Sequence, residues 1–178
     1  MSGSQKRISL IASHLATSSV QSRTLTTQAV KETFRKRQDY KYFLPIQTRG
    51  GDRWSDNDCY GHINNSIYYH YFDTIINEYL IRKCGLEPGS QTKPIGLVVA
   101  SHANFYASAS YPNLIMAGLA VSKLGKSSVT YRVGIFESEN PLACVVGGFT
   151  HVFVNNGDRR PVTQLPEEII TGVKDIAE

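Results

Sequence analysis

Apolar side chains recur every four residues along two adjacent rows between Ile67 and Leu80. Ile67, Tyr71, Ile75 and Tyr79 form one row, and Tyr68, Phe72, Ile76 and Leu80 form the next. That period predicts one long helix with a wide apolar stripe, covered over much of its circumference. Asp73, Thr74, Asn77 and Glu78 fall off the stripe. Asn64 suits the N-cap, which would make Asn65 the first helical residue, and Gly85 suits the stop.

Elsewhere the pattern changes to strands. The stretch YFLPIQTRGGDRW predicts an opening strand, with Gly50-Gly51 permitting a bend or bulge. Residues 95–107, 113–125, 127–137 and 142–155 then predict four strands joined by tight turns. In the third of these, Val129, Tyr131, Val133 and Ile135 alternate with Ser128, Thr130, Arg132 and Gly134, so one face is wetter than the other. The fourth is apolar on both faces, as suits an interior strand. LPEEIITGVKDIAE closes the chain as a short helix with Pro and acids at its start. Tight turns favour antiparallel neighbours, so the fold class is α+β, an antiparallel sheet wrapped around one long central helix.

The 178 residues suit one domain plus a tail. A hydrophobic share of 41% with 19% charged residues excludes wholesale disorder of the domain. No apolar run approaches the length of a membrane span. Charge is unevenly placed: residues 1–37 hold seven basic side chains against the single acid Glu32, a net +6, which leaves −2 of the total +4 for residues 38–178. The basic balance therefore belongs to the tail, and no basic surface interleaved with stacking residues points to nucleic acid.

Residues 1–30 contain no acid, are rich in Ser and Thr, and place Ile8, Ile11 and Leu15 on one helical face. This is the composition of a mitochondrial transit peptide, which implies the matrix; the plainer alternative is a basic tail without fixed structure. The domain boundary is drawn at residue 38. Cys59, Cys84 and Cys144 show neither CxxC nor His/Cys ligand spacing, so unpaired small buried thiols are expected, and no metal site.

Chemistry concentrates in RWSDNDCYGHINN, where two acids precede a glycine turn and a helix start. The first amides of a helix lack internal partners and carry partial positive charge, so they can hold a developing oxyanion. Asp58 is near enough in sequence to attack the same carbonyl, or to take a proton from a water that does. Asp56 is read as a loop-shaping acid, and His70, His102 and His151 as structural or surface residues.

The block D-x-D-x-x-G-H-x-N-N followed by the helix resembles the hot-dog-fold thioesterases of the 4-hydroxybenzoyl-CoA thioesterase type. LGKSSVTYRVGIF and FVNNGDRRPVTQLPEEI resemble later strands and turns of that family, so the likeness spans about residues 44–170. It implies Asp58 as nucleophile or general base and the Asn65 amide as donor to the thioester oxygen. His62, Asn64 and Tyr68 are the neighbouring substrate-binding candidates, with Lys126 and Arg159 as candidates for coenzyme A phosphates. It implies no metal or organic cofactor, an acyl-CoA or acyl carrier protein thioester as substrate, and a homodimer or homotetramer closed by edge pairing. Many relatives carry a charged residue one turn into the helix, where this chain has Tyr68, Tyr69 and His70. Ser101, His102 and Asn104 are the candidates for a second catalytic group. The expected activity is hydrolysis of an acyl-CoA to free acid and coenzyme A. Its alternatives are a non-catalytic acyl-thioester-binding or scaffold protein of mitochondria, and a hydratase on the same fold.

Overall fold

The computed structural model describes residues 34–46 and 54–178. The transit-like segment through residue 33, the Gly50-Gly51 bend and the end of the first predicted strand lie outside the described residues. Strand β1 is Tyr42–Pro45, helix α1 is Ile67–Lys83, and strands β2 to β5 are Ile95–Phe105, Ile115–Leu124, Ser128–Glu137 and Val145–Val154. Helix α2, Glu167–Lys174, follows Pro166 and carries Glu167 and Glu168 in its first turn, as the sequence led us to expect.

The five strands form one antiparallel sheet in the order β1-β3-β4-β5-β2. The short turns β3–β4 and β4–β5 do make neighbours. The β2–β3 connection does not: β2 crosses to the far edge and pairs with β5, Ile95 opposite Val154 and Phe105 opposite Val145. A nine-residue link, 106–114, is long enough for that crossing, whereas a hairpin turn is not.

Helix α1 lies against β3, β4 and β5. Seven of its residues, Tyr68, Tyr71, Phe72, Ile75, Ile76, Tyr79 and Leu80, are buried. They meet Leu119, Val129, Tyr131, Val133, Ile135 and Phe153 from the inner face of the sheet in one core. Burying a side chain of this size contributes about 1.5–3 kcal/mol, so the stripe alone anchors the helix. Gly85, at φ +64°, ends it with a bond from the Leu86 amide to the Leu80 carbonyl. Tyr79 Oη donates to the Gly172 carbonyl at 2.7 Å and ties α2 to α1.

The outer face of β4 is not wet. Arg132, Gly134 and Phe136 are buried beneath the segment Phe34–Tyr40. Tyr40 packs where Gly134 and Gly118 lack side chains; a Cβ on Gly134 would come within 2.6 Å of its ring. Tyr40 Oη donates to the Phe34 carbonyl at 2.7 Å. The Arg132 guanidinium stacks under the Phe34 ring, 3.5 Å from its centroid, and pairs with Glu178. Arg35 and Arg37, grouped with the tail on charge, bond to the backbone of the β4–β5 connection.

Candidate active site

The acid-rich stretch folds into a loop in front of α1. A short 3-10 turn at Trp54–Asp56 leads into it, and Asn57 bridges Ile63 across its neck. Gly61 sits at φ +79°, a left-handed conformation that glycine adopts without steric cost, and reverses the chain. The reversal brings Asp58 and His62 together: the Asp58 amide donates to the His62 carbonyl at 2.8 Å.

The two acids have different surroundings. Asp56 is buried, accepts a 2.7 Å bond from Tyr71 Oη, and takes the Asn64 amide on its carbonyl. Asp58 is half-buried, and its Oδ1 accepts the Tyr60 amide at 2.8 Å and the His62 amide at 3.3 Å. Those two bonds hold the carboxylate by one oxygen, and Oδ2 takes no hydrogen bond among the described residues.

The helix begins later than expected. Its first residue is Ile67 and its N-cap position is Ser66, so Asn64 is not the cap residue and Asn65 is not the first helical residue. The reason is local: Asn64 Oδ1 accepts from both the Ser66 amide, at 3.0 Å, and Ser66 Oγ, at 2.9 Å. This side-chain turn ahead of the helix competes with a direct cap. The Ile67 amide meanwhile donates to the Asn64 carbonyl at 2.9 Å. The Asn65 amide has no partner among the described residues.

Asp58, His62, Asn65 and Tyr68 line one cavity of about 310 Å³, with Phe105, Tyr106, Ala107 and Ser108 as its other wall. Tyr68 is buried edge-on against Phe105 and Tyr71, and burial pushes its phenol up to about 12, so it stays a neutral wall residue. The cavity thus sets a carboxylate beside the electropositive start of a helix, with an aromatic wall beyond. Such an arrangement can polarise a carbonyl and deliver a base or nucleophile to it.

Other expected residues lie elsewhere. Asn64 shapes the turn rather than lining the cavity. Lys126, in the β3–β4 turn, and Arg159, just past β5, sit at the opposite end of the sheet from Phe105. Ten strand residues separate the two ends, about 30 Å. Ser101, His102 and Asn104 are not among the residues lining the cavity, whose wall begins at Phe105 and continues past the end of β2. Ser108 and Tyr106 escaped the sequence reading; the only signal for them was their place where β2 gives out. Cys84 and Cys144 are buried, and burial lifts their thiols to about 12 and about 11, but Cys59 is exposed on the loop, contrary to expectation.

The thioesterase superfamily model matches residues 60–144, a span that starts just after Asp58. The PA5185 protein of Pseudomonas aeruginosa is 41% identical, with a TM-score of 0.75 over 81% of this chain and 96% of that one. A putative thioesterase from the same bacterium, 21% identical, superposes at 0.64 over 75% and 97% of the two chains. A 1,4-dihydroxy-2-naphthoyl-CoA thioesterase from Synechocystis, 15% identical, does so at 0.65 over 76% and 96%. Curated proteins supply no match. The sheet order, the swallowed helix and these likenesses agree: the chain belongs to the thioesterase superfamily, a class of thioester hydrolases, and has the hot-dog fold.

Proposed function

We propose that this protein hydrolyses an acyl-CoA or acyl carrier protein thioester, with Asp58 and the Asn65 amide as its reacting pair. The observation behind this reading is their shared cavity, in which Asp58 is already held by two backbone amides. The thioester oxygen sits at the Asn65 amide, where negative charge develops as the carbonyl becomes tetrahedral. As a base, Asp58 removes a proton from water while the hydroxide oxygen bonds to the carbonyl carbon. The C–S bond then breaks, and the thiol leaves with the proton. As a nucleophile, Asp58 bonds to the carbon itself and expels the thiolate, and water then cleaves the mixed anhydride. Single turnover in ¹⁸O-labelled water tests this: the base route places label only in the released acid, whereas a nucleophile route in which water attacks the Asp58 side of the anhydride leaves label in the Asp58 carboxylate.

Two copies complete the site in this reading. Among the described residues strand β2 is an edge paired only with β5, and its Leu97, Val98, Val99 and Phe105 are exposed. Antiparallel pairing of two β2 edges about a two-fold axis covers these side chains in a homodimer, or in a homotetramer built from it. It also brings the partner's Lys126 and Arg159 end next to the Asp58 cavity, where they meet nucleotide phosphates. Matrix residence follows from the composition of residues 1–30, and import of a fusion with and without them tests it.

The decisive experiment measures thiol release from a panel of acyl-CoAs by wild type and Asp58→Asn. The expected loss is about 10²–10⁴-fold in kcat. A folded Asp58→Asn protein with undiminished turnover refutes the assignment. Binding without turnover by the wild type favours a thioester-binding protein instead.

A further inference from the structure

Between the two acids stands Asn57, and its side chain bonds in two directions. Nδ2 donates to the Gly61 carbonyl at 3.3 Å, across the loop that holds Asp58. Oδ1 accepts the Tyr111 amide at 3.2 Å, from the connection that runs on from the cavity's opposite wall. One backbone bond, from the Ile63 amide to the Ala109 carbonyl at 2.8 Å, joins the same two segments. Both bonds tie the Asp58 side of the cavity to the connection that follows Ala107–Ser108, and the one from Asn57 is made by a side chain.

We propose that Asn57 is a positioning residue for the reaction: its carboxamide sets where the Asp58 carboxylate stands relative to the opposite wall. This rests on the thioester-hydrolase reading above and adds a residue to it. A carboxamide is suited to the task because it offers a donor and an acceptor on opposite sides of one flat group. A carboxylate has only acceptors, and leucine, of the same size, has neither. The Gly61 carbonyl belongs to the same peptide as the His62 amide that bonds Asp58 Oδ1, so releasing it loosens one of the two bonds that hold the carboxylate. A displacement of about 1 Å at a reacting group costs on the order of 10²-fold in rate. Binding of the coenzyme, which is spread over a larger surface, does not depend on that placement.

The test compares Asn57→Leu, Asn57→Asp and Asp58→Asn with wild type, by steady-state thiol release at a pH on the activity plateau. Asn57→Leu is expected to lose 10-fold or more in kcat with KM changed less than about threefold. Asn57→Asp keeps the acceptor for Tyr111 and is expected to recover part of the loss relative to Asn57→Leu, which a general loss of fold does not produce. The proposal is overturned if Asn57→Leu keeps kcat within twofold, if its loss falls on KM instead, or if Asn57→Asp is no better than Asn57→Leu. An active Asp58→Asn enzyme refutes the catalytic assignment itself. An inactive Asp58→Asn beside a fully active Asn57→Leu refutes only the positioning role.

Discussion

At the scale of single residues, the two acids of one short motif differ in their surroundings, Asp56 buried and Asp58 only half-buried. Asp56 is 5% exposed and accepts from Tyr71, fifteen residues on and one turn inside α1. This bond fastens the loop to helix α1, whose Tyr68 lines the cavity. A hydrogen bond to a charged group is worth about 1.5–3 kcal/mol. Tyr71→Phe, which keeps the ring and removes the hydroxyl, is therefore expected to lower stability by about that amount, read from the urea midpoint. It should lower kcat as well, since the loop carrying Asp58 loses an anchor. A variant as stable as wild type shows that the bond contributes nothing net. The motif made both acids visible as candidates, and their neighbours in sequence placed Asp58 before a helix start. Which acid is buried was not legible, because Tyr71 reads as one more member of the apolar stripe until the fold brings it over Asp56. The late start of α1 was hidden likewise, since Asn64 and Ser66 are both good caps and the Asn64–Ser66 bonds decide between them.

At the scale of elements, periodicity located β2 to β5 and the long helix to within about three residues, ran the opening strand and the closing helix past their ends at Pro45 and Lys174, and misjudged what lies on the outside of the sheet. The alternation in β4 correctly separates an inner from an outer face. The outer face is nonetheless dry, because Phe34–Tyr40 lies across it and Tyr40 fills the room above Gly118 and Gly134. A pattern within one strand holds no information about a distant segment that covers it. Strand β5 shows a consequence of such burial on the inner face. His151 is 3% exposed, packed beside Tyr131 of β4 and against the bare Gly96 of β2, and burial lowers its pKa from 6.5, with Asp73 of α1 opposing in part. The folded protein therefore keeps this imidazole neutral where the unfolded chain takes up a proton. The unfolded state binds more protons below pH 6.5, so the stability His151 supplies is full above that value and falls as pH drops toward the lowered folded-state pKa. The slope is at most about 1.4 kcal/mol per pH unit for one proton. Melting curves from pH 7.5 to 5.5 should show wild type losing more stability than His151→Phe. Equal losses mean that the buried histidine is not the group responsible.

At the scale of the whole molecule, the β2 edge of the sheet pairs only with β5 among the described residues. β2 is exposed along most of its length, and a bulge between Val98 and Ala100 sets Val99 outward at 60% exposure. An unpaired strand with a row of exposed apolar side chains is an aggregation hazard unless something pairs with it. In the homodimer proposed above, a second copy is that occupant: its β2 offers the same side chains, and two-fold symmetry runs the strands antiparallel, as throughout this sheet. The same operation answers the separation of the site residues. Asp58 and Asn65 lie at the Phe105 end, while Lys126 and Arg159 lie at the Ile95 end, and antiparallel pairing superposes one copy's first end on the other's second. Assembly and activity should therefore fail together. Lysine at both Leu97 and Val99 places four like charges at the junction of the pair without touching Asp58, Asn65 or Asn57. Sedimentation should show the variant as a monomer, with KM for coenzyme A thioesters raised because the phosphates lose the partner's cations. Arg159→Ala should raise KM in the same direction while leaving the dimer intact. A monomeric double-lysine protein with unchanged KM separates the two effects, and means that each chain binds its substrate alone.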